Sequence, residues 1–115
     1  MSNQLQTPLY EALREHINKD PVSFHVPGHK YGSMHQYKHD EFFSGILKID
    51  ATELTGLDDL HSPQGPIREA EELLADLYGT KKSFFLVNGS TVGNLAMIMA
   101  TFQEGSTALV QRNCH

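Results

Sequence analysis

The stretch Phe84-Phe85-Leu86-Val87-Asn88-Gly89-Ser90-Thr91-Val92-Gly93-Asn94 most constrains the fold. A short apolar run with two aromatics, Ser83 to Val87, suits a strand buried on both faces. A turn rich in glycine and hydroxyls follows, and then a helix from Thr91 to about Phe102. That helix is apolar nearly all round, through Leu95, Ala96, Met97, Ile98, Met99 and Ala100. A helix without a polar face belongs inside a larger body. Glu104-Gly105 ends it, and Thr107 to Gln111 reads as the next strand. Strand, helix and strand in this order predict a right-handed crossover between parallel strands. The 88–91 turn and the Arg112-Asn113-Cys114-His115 turn would then share the carboxyl edge of the sheet, where ligands of open α/β sheets collect. The expected fold class is α/β.

Gly89, Ser90 and Thr91 carry the strongest chemical signal. Glycine lets the backbone approach a ligand closely, and the amides and hydroxyls behind it open the positive end of a helix, which suits a phosphate. Ser and Thr are equally ordinary helix caps, so the residues alone leave both readings open. The G-x-x-x-x-G-K-[ST] and G-x-G-x-x-G nucleotide signatures are absent. His115 on its own suits a hydrogen-bonded structural imidazole. Cys114 and His115 are strand neighbours, which point to opposite faces and make a poor dyad.

Ahead of this unit, Thr7 and Pro8 predict an N-cap and first helical residue. Leu9, Ala12, Leu13 and Ile17 fall on one face, and Asp20-Pro21 ends the helix. Such a helix packs either on its own domain or against a partner subunit. Residues 21–65 show no strong periodicity and are punctuated by glycine, proline and histidine, which reads as a long functional loop or a disordered stretch. Its apolar pieces, Phe42-Phe43 and Ile46-Leu47-Lys48-Ile49, predict ordered parts. From Pro66 an i, i+3, i+4 stripe (Ile67, Ala70, Leu73, Leu74, Leu77, Tyr78) predicts a helix that Gly79 closes. The division expected is an N-terminal helix and loop arm over 1–65 and a second body over 66–115.

The 115 residues suffice for one small domain, and 9 Lys+Arg against 14 Asp+Glu leaves a net charge of −5. Without a basic cluster, nucleic acid is not an expected partner. The longest apolar run is too short for a bilayer, so no membrane is expected either. One cysteine, Cys114, suits a reducing compartment and a cytoplasmic location. His25, His29, His35, His39 and His61 raise zinc chemistry, but Pro27-Gly28 lies between His25 and His29 and disfavours a helical i, i+4 pair there, loop histidines are common, and no metal is expected.

Five segments in order resemble the Orn/Lys/Arg decarboxylase family, the pyridoxal-phosphate enzymes of aspartate-aminotransferase-like fold type I. They are Thr7-Pro8-Leu9-Tyr10, Phe24-His25-Val26-Pro27-Gly28-His29-Lys30, Asp50 through His61, residues 84–98, and Arg112-Asn113-Cys114-His115. The resemblance implies that Gly89, Ser90 and Thr91 bind the phosphate of pyridoxal 5'-phosphate and that His115 stacks on its ring. It places the Pro27-to-Lys30 and Asp58-to-His61 segments near the active site. It also implies a basic amino acid as substrate, an amine of the polyamine type as product, and a homo-oligomer. The fold implied is an incomplete N-terminal part of the fold-type-I large domain, preceded by the helix and loop arm. No lysine here matches the family's Schiff-base lysine, so these residues are expected to be an inactive fragment, and an unpaired edge on the last strand with an exposed apolar helix predicts poor solubility or partial disorder on its own. A non-catalytic phosphate-ligand or partner-binding module and an aminotransferase-like enzyme are the alternative readings.

Overall fold

The computed structural model describes residues 3–26, 28–33 and 41–114, with the side chains of 41 and 42 excepted. They form four helices: α1 (Pro8–Asn18), α2 (Glu41–Ile49), α3 (Pro66–Tyr78) and α4 (Ser90–Thr101). The chain divides into two compact units, Met1–Phe84 and Phe85–His115.

In the first unit, α1 begins as the sequence predicts. Thr7 is its N-cap, Pro8 stands in the first turn, and the Thr7 hydroxyl donates to Glu11 Oε1 at 3.1 Å. Leu9, Ala12, Leu13 and Ile17 are the half-buried face, and α1 lies on α3 and on α2. The packing is therefore within its own unit. Before α1, the Gln4 side-chain amide donates to Leu73 O at 3.1 Å and Asp76 Oδ2 at 3.2 Å, tying the leading segment to α3.

Helix α2 lies inside what reads in sequence as a loop. Gly45 in its middle weakens a helix by about 1 kcal/mol relative to Ala, and the run is too short to persist alone. Docking on α1 supplies what propensity does not. Gly32, at φ 78, sits against Leu47 of α2; a Cβ there would lie 3.1 Å from Leu47 Cβ. The turn before α2 therefore needs glycine both for its left-handed backbone and for this close approach.

Helix α3 is the centre of the unit. Gly79, at φ 63, closes it: its N–H donates to Asp76 O at 3.2 Å and that of Thr80 to Ala75 O at 2.9 Å, the paired bonds of a Schellman ending. Leu57 and Ala75 are the buried apolar residues among those described, and Glu71 is the buried polar one. At the other end of α3, the N-cap Gly65 has no side chain and Pro66 has no N–H. The acceptor comes instead from Asp58. Its Oδ1 accepts from the N–H groups of Asp59 (2.9 Å) and Gln64 (2.8 Å). Its Oδ2 accepts from those of Gly65 (2.7 Å), Ile67 (3.1 Å) and Arg68 (3.3 Å). Partial desolvation raises the pKa of this carboxyl, but the N–H groups of Gln64, Asp59, Gly65 and Arg68 outweigh it and bring the value from 3.8 to about 2.

The stretch from Ser83 onward departs from expectation. Residues 83–87 and 107–111 are not strands, and no strand occurs among the described residues, so the α/β class is not visible in this structure. A strand exists through its ladder, and neither run has one. The backbone bonds after α4 are turn bonds, Ser106 N–H to Gln103 O at 3.0 Å and Cys114 N–H to Gln111 O at 3.1 Å. Parallel pairing also draws on burial of both faces, whereas Phe84 to Val87, Leu109 and Val110 are all exposed. Only α4 forms as the pattern predicts, and its Leu95, Met97, Ile98 and Met99 are exposed as well.

Two stability measurements follow. Asp58→Asn leaves one carbonyl oxygen and puts an NH₂ against backbone donors, so urea unfolding of the first unit should show a loss of about 1–2 kcal/mol, as for a lost helix cap. Because the native pKa lies below 3.8, the Asp58 contribution is complete above that pH and fades as pH falls toward about 2. The Asn variant should lack that part of the acid sensitivity. Gly32→Ala should cost about 1–2 kcal/mol through its left-handed backbone, and hydrogen exchange should place the loosening in α2.

Candidate functional site

The 88–91 turn is built by backbone conformation. Asn88 has φ 63, in the left-handed region that asparagine tolerates. Gly89, the N-cap of α4, has φ 76 and ψ −174, a combination open essentially to glycine alone. No other group lies where a Cβ on Gly89 would sit, so the requirement is conformational and the space beside the turn is open. Gly93, one turn into α4, has a different role. A Cβ there would come 2.6 Å from Leu86 Cδ1, so its absence lets Leu86 rest on the helix.

Ser90 and Thr91 are the first residues of α4, and both are exposed. Neither side chain makes a hydrogen bond within the described residues, and no side chain caps the helix. The first turn of α4 holds no acidic residue, whereas α1 has Glu11 and α3 has Glu69 in addition to the Asp58 carboxylate. The amides at the start of α4 therefore face an open space with two hydroxyls beside them. This donor set fits a phosphate: it is neutral, rich in N–H and O–H, and placed at the positive end of a twelve-residue helix. Gly89, Ser90 and Thr91 are consecutive and lead into α4. His115 lies outside the described residues. Arg112, Asn113 and Cys114 before it are exposed, and the Cys114 thiol is free.

The histidine-rich segment resolves into a structural knot. The His29 Nδ1 accepts the Gly32 N–H at 2.9 Å. That bond leaves the ring proton on Nε2, which donates to Asp50 Oδ2 at 3.0 Å. The His29 tautomer is thereby set, and the turn before α2 is tied to the residue just after it. Tyr31 stands between two imidazoles, with its hydroxyl 2.7 Å from His16 Nε2 and its ring edge-on to His25. The Lys30 ammonium donates to His25 O. Lys30 and Tyr31 have φ 55 and 52, two successive left-handed residues held by these bonds. A cleft of about 400 Å³ adjoins the knot, but its Lys30, His29 and Tyr31 are already engaged. Among the described residues no three of His, Cys, Asp or Glu converge as metal ligands; His35 and His39 lie outside them.

In the Asp58-to-His61 segment, Asp58 is spent on α3, and Asp59 Oδ1 accepts the His61 N–H at 2.8 Å, leaving His61 exposed. Sequence reasoning passed over the Asp58 cap. The available signal was a helix start, Gly65-Pro66, with no capping side chain of its own, seven residues after an acid.

A family model described as Orn/Lys/Arg decarboxylase, major domain, matches residues 7–115. The chain belongs to the Orn/Lys/Arg decarboxylase family. It is 56% identical over 111 residues to the uncharacterized protein YaaO of Bacillus subtilis, covering 96% of this chain and 23% of that one. It is 38% identical over 114 residues to arginine decarboxylase of Bacillus subtilis, covering 98% and 23%. The constitutive lysine decarboxylase of Escherichia coli is 32% identical over 120 residues, covering 98% and 17%. The chain thus spans under a quarter of the length of these relatives. No solved structure matches it. Among the described residues no helix is long and apolar enough to cross a membrane.

Gly89→Ala tests the turn. The substitution should cost of the order of 1–3 kcal/mol in local strain, read as faster amide exchange in the first turn of α4. Gly93→Ala should cost less, because the atom it meets is the movable end of Leu86.

Proposed function

We propose that these residues are the N-terminal part of a pyridoxal-phosphate-dependent decarboxylase of arginine, lysine or ornithine. The observation that carries this reading is the open start of α4, led by a glycine in a glycine-only conformation, within a chain that the family model matches over 7–115. In this reading the amides after Gly89 and the hydroxyls of Ser90 and Thr91 hold the cofactor phosphate. That contact fixes where the ring lies and spends no proton. His115 lies against the ring and orients it. When bound, pyridoxal phosphate supplies the electron sink for the pair left as CO₂ departs. The product is an amine of the polyamine type.

The proposed fold is the start of the fold-type-I α/β large domain over 66–115, preceded by an arm over 1–65. The runs 83–87 and 107–111 become parallel strands where further strands cover them. The enzyme acts in the cytoplasm as a homo-oligomer, on a small-molecule substrate, with neither nucleic acid nor membrane as partner. No lysine of this chain, Lys30 included, matches the family's cofactor-linking lysine, so residues 1–115 by themselves do not decarboxylate.

The test uses the complete polypeptide that carries these residues. Absorbance titration with pyridoxal phosphate should show Ser90→Ala and Thr91→Ala each weakening binding about tenfold, the scale of one hydrogen bond to a charged group. His115→Ala should shift the cofactor absorbance. Cofactor affinity and spectrum unchanged in all three variants would remove the site assignment. Absence of CO₂ release from all three amino acids would remove the reaction.

A further inference from the structure

Asn88 and Gly89 are the one Asn-Gly pair in the sequence. Both residues are exposed, and their φ values of 63 and 76 place them in a tight turn. Within the described residues neither the Asn88 side chain nor the Gly89 N–H makes a hydrogen bond. The side-chain carbonyl carbon of an asparagine can be reached by the amide nitrogen of the next residue, and the two close a succinimide ring. Closure is easiest where that next residue has no side chain to crowd the nitrogen, and glycine has none. The space beside Gly89 is open. The nitrogen must also give up its proton to attack. Gly89 is the N-cap of α4, and the positive end of the helix dipole favours the negative charge that develops on that nitrogen. Sequence, access, freedom from hydrogen bonds and local field therefore meet at one peptide bond.

We infer that Asn88 is a site of spontaneous deamidation, and that its product closes the open end of α4 from within. The Gly89 nitrogen loses its proton to water and attacks Asn88 Cγ. The N–Cγ bond forms, the Cγ–Nδ2 bond breaks, and Nδ2 leaves as ammonia, taking up a proton in place of the one Gly89 lost. Water then opens the ring. Addition at Cγ leaves aspartate at position 88, and addition at the main-chain carbonyl leaves isoaspartate. Water is the only co-reactant, and nothing is oxidised or reduced. Either product sets a carboxylate just before the N-cap of a helix whose first turn holds no acid, where negative charge is favoured. The α4 end is then closed as the Asp58 carboxylate closes that of α3. The chemistry is independent of the cofactor. Its consequence rests on the function proposed above: a turn carrying its own carboxylate repels the phosphate of pyridoxal phosphate, so the modification removes the site irreversibly.

The test follows the complete polypeptide that carries these residues, without added cofactor, in mildly alkaline buffer. Peptide mass spectrometry reads the amide-to-acid change, and an isoaspartyl methyltransferase labels the isoaspartate. Asn88 should convert at least about tenfold faster than Asn94, whose following amide is paired inside α4, the scale of freeing one hydrogen-bonded N–H. The variant Asn88→Asp supplies one product directly. It should slow amide exchange in the first turn of α4 about fivefold, as a helix cap does, and should weaken pyridoxal phosphate binding. Asn88 converting no faster than Asn94, or converting only after unfolding in urea, would overturn the modification site. Amide exchange in Asn88→Asp that is unchanged or faster would overturn the closure. Slowed exchange with cofactor affinity intact would bear out the closure and count against the cofactor assignment, which keeps the two readings apart.

Discussion

One carboxylate organises the first unit. Asp58, itself in a left-handed conformation at φ 74, gathers N–H groups from the loop after it and from the first turn of α3. Without that acceptor the start of α3 has only a glycine and a proline, neither of which caps. The same bonds fold 58–65 back onto the helix, directly after Leu57, a buried residue in a unit with little core. Because α1 lies on α3, the entry of α3 also sets what α1 lies on. A thin hydrophobic core makes such polar ties more consequential, since few apolar contacts compete with them to define the arrangement.

The parts of this fold legible in sequence are those whose signals are local. Thr7-Pro8 starts α1, Pro66 starts α3 and Gly79 ends it, because caps and positive φ are properties of one or two residues. The Gly89-Ser90-Thr91 turn was legible for the same reason. Helix α2 was not. Its nine residues include Gly45, and its stability comes from α1 and from the space that Gly32 leaves for Leu47. The Asp58 cap was hidden by distance along the chain, and the His29–Asp50 tie by a separation of 21 residues. The expected strands are a third case, not visible among the described residues. Residues 83–87 and 107–111 have strand composition, but a ladder is a non-local object, and composition alone does not create its other half.

Helices α3 and α4 pose the same physical problem and meet it differently. Both have glycine as N-cap, Gly65 and Gly89, and neither has a side-chain cap of its own. In both, the unpaired amides of the first turn call for an acceptor from elsewhere. For α3 the acceptor is internal: the Asp58 carboxylate occupies the place an anion would take, and that helix end is closed to ligands. For α4 the described chain offers no acceptor. It supplies further donors, the Ser90 and Thr91 hydroxyls, and a glycine conformation that keeps the approach clear. In the function proposed above, a turn that adds donors to a donor-rich helix end, and carries no carboxylate in its first turn, would take an acceptor with several oxygens. A phosphate meets that requirement, with three oxygens and a negative charge suited to the helix dipole. The need for glycine at position 89 is then the local cost of keeping the α4 end open, where α3 closed its own.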